Sequence, residues 1–168
     1  MSLPLIKAVR IADNVVSALR EYCDRIEIAG SIRRQKPEVH DIDIVVLAHD
    51  AKGLKYRCRE VCTIVASGGI CFRIKTQQDM QIDIYFATEG KHELFDKIPS
   101  NWGSVMLCRT GSKDHNIYLA KLAKTKGLRW VPNRGLFTPD HELVASETEQ
   151  DMFNALGLSY IEPQNREM

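Results

Sequence analysis

Residues Ala29 to Val46 read AGSIRRQKPEVHDIDIVV. The fold turns on how the run from Asp41 to Ala48 is read. Side chains alternate along a strand, so Asp41 and Asp43 share one face and Ile42 and Ile44 the other. Two carboxylates held side by side repel each other unless a cation lies between them, and oxygen-only ligation suits Mg²⁺ or Mn²⁺ better than zinc. An antiparallel strand with one solvated face carries the same alternation without chemistry, so the two aspartates alone leave both readings open. The preceding Gly30-Ser31, with Arg33 and Arg34 close by, weighs toward chemistry. A glycine turn after a short strand offers backbone N–H groups and a hydroxyl to phosphate. A phosphate cradle beside a divalent-cation site points to nucleotide chemistry.

With 168 residues, the chain has room for one well-cored domain or two small lobes sharing a cleft. Its net charge of +1 argues neither for nor against a polyanionic partner, so charge distribution has to decide. The five cysteines, at 23, 58, 62, 71 and 108, are odd in number and lack paired C-x-x-C spacing. That pattern fits reduced thiols better than a disulfide frame or a zinc site. The sequence has no basic-then-apolar leader pattern and no apolar run near the ~20 residues of a membrane span. A soluble intracellular protein, cytoplasmic or nucleoid-associated and monomeric, is expected.

Outward from the central stretch, Ala8 to Tyr22 carries Val9, Ala12, Val16 and Leu19 at helical spacing, which predicts an amphipathic helix. A short strand, Arg25 to Ala29, follows. A second helix is expected from Lys52 to Ala66, stopped by Ser67-Gly68-Gly69, and then a hairpin of Ile70 to Lys75 and Met80 to Ala87 around Thr76–Asp79. Within it, Asp83 alternates with Ile82 and Ile84, so it projects from the same face as Asp41 and Asp43 if the strands share a sheet. Three acids on adjacent strands suit two ions about 4 Å apart, the usual device for in-line phosphoryl transfer.

The character of the chain shifts near residue 90. Thr110-Gly111-Ser112 opens an expected helix to about Lys126, with Tyr118, Leu119, Leu122 and Ala123 on its buried arc and Lys113, Lys121 and Lys124 opposite. From Val105 to Arg134 seven Lys or Arg stand against one acid, whereas Gly135 to Met168 sets Arg166 against seven acids. Such a stripe is the footprint of a backbone-phosphate binder, and a solvated helix face looks similar. Ser146 and Glu149 fit a capping box for a short helix ending at Gly157.

Together these stretches resemble the family X DNA polymerases, the DNA polymerase beta group of nucleotidyltransferases. Gly30-Ser31-x-Arg33-Arg34 followed by Asp41-x-Asp43 resembles the nucleotidyltransferase signature, and Gln81-Ile82-Asp83 the third catalytic strand. Thr110-Gly111-Ser112 with Asn116, and the tail from Glu147 to Pro163, resemble the thumb of these polymerases. The resemblance implies an α+β fold: a nucleotidyltransferase palm over 1–90, with a mixed or antiparallel sheet and two helices, and a small α/β thumb over 91–168. It implies that Asp41 and Asp43 bind both of two Mg²⁺ ions, with Mn²⁺ as an alternative. Asp83 completes the catalytic-metal site and helps to activate a primer 3′-hydroxyl. Ser31 and Arg34 hold the triphosphate, with Gly30 letting the backbone approach. Gly111 and Ser112 form a turn against the sugar, where the family often has a cis peptide, and Asn116 faces the base edge.

The implied function is addition of deoxynucleoside triphosphates to a DNA primer or short gap, with Lys113, Lys121 and Lys124 on DNA phosphates and a role in DNA repair. The alternatives are a template-independent nucleotidyltransferase acting on RNA ends, a small molecule or a protein, and a catalytically silent DNA-binding module. The chain also departs from the family. The helix-hairpin-helix modules and lyase domain are expected to be missing. Cys108 and Arg109 stand where many members have an aromatic pair, and Gln81 where arginine is frequent.

Overall fold

The computed structural model describes residues 2–92 and 97–167. The chain divides into two compact units, Met1–Phe86 and Ala87–Met168.

In the first unit, β1 (Leu3–Pro4) leads into α1 (Leu5–Leu19). Ala8, Ala12, Val16 and Leu19, three or four residues apart, are the buried stripe of that helix. It starts and stops earlier than the expected span of 8 to 22, because Arg20–Tyr22 tighten into a 3₁₀ turn before the next strand. β2 (Cys23–Ile28) is followed by Ala29, which precedes the single helical turn α2 (Gly30–Arg33). β3 (Glu38–Val39) pairs with β1, and β4 (Asp41–Ala48) follows. α3 (Ala51–Val61) is capped by Asp50, whose side chain accepts from Gly53 N at 2.8 Å.

The helix expected to reach Ala66 stops at Val61, and β5 (Thr63–Ser67) takes over. The β-branched run Thr63-Ile64-Val65 fits a pleated strand better than a helix, and this local preference overrides the helical spacing of the apolar residues. β6 (Cys71–Lys75) and β7 (Gln81–Phe86) complete a mixed sheet of order β2-β4-β7-β6-β5, in which only the β4–β7 pair is parallel.

The two faces of this sheet have different tasks. Ile42, Ile44 and Val46 of β4, Ile82 and Ile84 of β7, and Phe72 and Ile74 of β6 share one core with the stripe of α1 and with Leu54 and Cys58 of α3. Each such aliphatic side chain, fully buried, contributes on the order of 1.5–3 kcal/mol. The alternation that sends the isoleucines into that core leaves the aspartates on the other face.

The second unit begins with β8 (Lys91–His92) and β9 (Lys97–Ile98), then α4 (Trp102–Thr110), which is buried along most of its length. α5 (Lys113–Thr125) follows, then an antiparallel sheet of β10 (Arg129–Val131), β11 (Gly135–Phe137) and β12 (Leu143–Ala145), α6 (Glu149–Ala155), and a 3₁₀ turn at Pro163–Asn165. Leu107, Leu119, Ala123, Leu136, Met152, Phe153 and Leu156 are in its core.

Two expectations change here. Tyr118, placed on the buried arc of α5, is 38% exposed. The cap of α6 is Thr148, which accepts from Asp151 N at 3.0 Å, rather than Ser146. Ser146 instead donates to the Ser100 carbonyl at 2.7 Å, and Glu149 enters a buried ion pair with Arg166.

Candidate active site

The three acids lie on two adjacent strands of the first sheet. The parallel register pairs Asp43 with Asp83 and Asp41 with Gln81, so all three aspartates emerge on one face. Gly30 packs directly against this face. Its φ is +59°, and a Cβ there would collide with the Asp43 carboxylate, so both backbone conformation and space require glycine. Ala29 N donates to Asp43 O at 2.8 Å, which fixes the Gly30 turn against that strand.

The Gly30–Arg33 turn is followed by Gln35 with φ +59°, and the chain folds back so that Lys36 N donates to Ser31 O at 3.0 Å. Ser31, Arg34, Lys36, His40 and Asp41 line a recess of about 470 Å³. The Ser31 hydroxyl is buried and finds no hydrogen-bond partner among the described residues. A buried hydroxyl left in this way is costly, and a ligand oxygen at this recess would satisfy it. Gly30, Ser31 and Arg34 stand together on this turn, with Ser31 and Arg34 lining the recess.

Asp83 is held differently from what its expected role requires. Arg73, on β6 and directly opposite it, grips the carboxylate with both arms: Nε donates to Oδ1 at 2.6 Å and Nη2 to Oδ2 at 2.8 Å. Gln81 Nε2 and Tyr85 OH also donate to Oδ2, each at 3.3 Å. The Asp83 side chain is 3% exposed. Its hydrogen bond first, and its charge second, push the Arg73 pKa above the ordinary arginine value. Among the described residues, no three acidic, histidine or cysteine side chains converge on a point that could hold an ion. The oxygen-only donors Asp41, Asp43 and Asp83 on one sheet face have the chemistry that divalent cations take, and Asp83 is engaged by Arg73. Arg73 carries no signal in the sequence that would single it out.

In the second unit, Gly111 (φ +72°) and the cis Gly111–Ser112 peptide form the turn between α4 and α5. The Ser112 hydroxyl donates to the Arg166 carbonyl at 2.7 Å and accepts from His115 N at 3.3 Å, so it caps α5 from a buried position. Asn116 Nδ2 donates to the Cys108 carbonyl at 2.7 Å, and its Oδ1 has no partner among the described residues. Arg109 Nη2 donates to Asn133 Oδ1 at 2.9 Å. Lys113, Lys121 and Lys124 are exposed along α5.

His115 is buried beside Phe153, with ring centroids 5.9 Å apart. Burial first, and the Arg166 charge second, push its pKa down to about 4, against a smaller opposite effect of Glu149. The unfolded chain therefore binds a proton near the ordinary histidine pKa that the folded chain refuses. The stability contribution is complete above about pH 6.5 and falls as pH drops toward 4, by up to about 3 kcal/mol. Thermal unfolding from pH 8 to pH 4 should show this loss in the parent and a smaller one in His115→Phe. Equal pH dependence in both would remove His115 as the cause.

The chain is similar to several known proteins. The family model described as DNA polymerase beta thumb matches residues 105–167. The chain is 26% identical over 172 aligned positions to the DNA polymerase/3′-5′ exonuclease PolX of Bacillus subtilis (strain 168), covering 98% of this chain and 28% of that protein. The chain thus spans little more than a quarter of the curated relative's length. Two crystal structures of Leishmania infantum polymerase beta, a ternary P/T complex and a ternary gap complex, each match all of this chain at a TM-score of 0.80. Their identities are 21% and 20%, and the matches cover 77% and 71% of those chains, so they speak for the fold.

Proposed function

We propose that this chain, which is family X polymerase-like, adds deoxynucleotides to a DNA primer 3′-end or short gap, with Met1–Phe86 as the palm and Ala87–Met168 as the thumb. The observation that carries the reading is the register of Asp43 with Asp83 on parallel strands, with Asp41 on the same face. The orphaned Ser31 hydroxyl in the recess it shares with Arg34 supports a triphosphate site there.

In this reading Asp41 and Asp43 would hold both Mg²⁺ ions, or Mn²⁺ in their place, and Asp83 would complete the catalytic-metal site. When bound, the ions would neutralise the triphosphate and favour attack by the 3′-hydroxyl on the α-phosphate, with pyrophosphate as the leaving group. Ser31 donates to a phosphate oxygen, Arg34 offers charge, and Gly30 lets the backbone approach. Gly111 and Ser112 form the turn against the sugar, and Asn116 faces the base edge. Lys113, Lys121 and Lys124 meet DNA phosphates.

Primer extension on gapped, single-stranded and RNA substrates, with Mg²⁺ or Mn²⁺, tests this function. Templated extension of the gapped DNA is expected. Untemplated addition, or transfer only to RNA ends, would favour the other nucleotidyltransferase reading, and no transfer would favour a silent DNA-binding module.

For the basic helix, replacing Lys113, Lys121 and Lys124 by alanine should weaken DNA binding about uniformly across sequences. The slope of log affinity against log salt should flatten by about 0.9 per lost contact. An unchanged slope would return this face to plain solvation.

A further inference from the structure

We propose that Arg73 is a positioning residue that competes with a divalent cation for Asp83 and swings off the carboxylate when the ion is loaded. The inference rests on the metal-dependent reading above. Asp83 Oδ2 accepts from three donors, Arg73 Nη2, Gln81 Nε2 and Tyr85 OH, and Oδ1 from Arg73 Nε. A carboxylate offers about four lone-pair directions, so little is left for an ion while Arg73 stays. The Asp83 side chain is nearly buried, and a dication and a guanidinium sharing one poorly solvated carboxylate repel each other strongly.

Arg73 also has somewhere to go. Its side chain is 39% exposed, and it lines a recess of about 570 Å³ with Ser67, Gly68, Gly69 and Cys71. A Cβ added at Gly69 would meet nothing within 4 Å, so the hairpin end leaves open space. The two-armed grip fixes the Asp83 rotamer, and the open side of Arg73 lets that grip yield to a stronger charge.

The test is Mn²⁺ binding to the full chain with a non-hydrolysable deoxynucleoside triphosphate, read by the paramagnetic signal of free ion. The parent is expected to bind two ions, one more weakly. In Arg73→Gln the weaker affinity should tighten about tenfold, the size of one lost charge-assisted hydrogen bond. Adding Gln81→Arg to that variant should return affinity toward the parent's, because residue 81 already reaches Asp83 Oδ2. Arg73→Lys keeps the charge without the two-armed grip and should fall between, which serves if Arg73→Gln does not fold. Two ions in the parent with unmoved affinity in the variants would overturn the role of Arg73 alone. Fewer than two ions in the parent would overturn the metal reading and this inference together.

Discussion

Asp83→Asn is expected to lower nucleotide transfer by about 10³-fold or more, equivalent to about 4 kcal/mol of lost transition-state stabilisation. The change removes one negative charge and almost no volume. The new side-chain carbonyl can still accept from Arg73 Nε, whereas the amide NH₂ cannot accept from Arg73 Nη2, so the local cost is about 1–3 kcal/mol. The core residues on either side, Ile82 and Ile84, are untouched. Nucleotide binding should be largely retained, since the change leaves Ser31 and Arg34 and the recess they line untouched. Single-turnover incorporation, with nucleotide affinity and circular dichroism on the same samples, separates chemistry from folding. Transfer within a few-fold of the parent would sink the assignment of Asp83.

Arg166→Ala is expected to destabilise the second unit by about 3–5 kcal/mol, far more than an exposed salt bridge contributes. Arg166 is fully buried and donates from Nη1 to Glu149 Oε1 at 2.7 Å and from Nε to the Ile161 carbonyl at 2.8 Å. Its guanidinium carbon lies 5.2 Å from the Phe153 ring centroid and 5.3 Å from that of Tyr160. Its loss removes the Arg166 cation that offsets the buried Glu149 charge. The loss also loosens the segment whose carbonyl receives the Ser112 hydroxyl. Replacing both partners, Arg166→Met with Glu149→Leu, should recover much of the stability, because apolar side chains of similar size need no partner. Chemical denaturation of the three proteins measures this. A single variant as stable as the parent would show the ion pair to be dispensable.

Much of the first unit is legible in the sequence because its faces differ so sharply. The Asp-Ile-Asp-Ile alternation places the acids and the core in one step, and Gly30 is explained by the carboxylate beside it. Other features depend on register, which the sequence does not display. A hairpin around Thr76–Asp79 would set Lys75 opposite Met80 and Arg73 opposite Ile82. The observed connection is one residue longer and pairs Lys75 with Gln81, which brings Arg73 opposite Asp83. A shift of one residue exchanges the two faces of a strand, so the Arg73 grip cannot be read from residue order. The Glu149–Arg166 pair is hidden for a related reason: its partners are 17 residues apart, and Glu149 also fits a cap motif.

The most direct measurement is the number of Mn²⁺ ions held per chain with a gapped DNA bearing a 3′-dideoxy primer and a matched deoxynucleoside triphosphate. Two ions per chain are predicted, with at least one lost in Asp43→Asn, whose carboxylate is assigned to both. No binding above that of the nucleotide and DNA alone, or two ions retained in Asp43→Asn, would contradict the account.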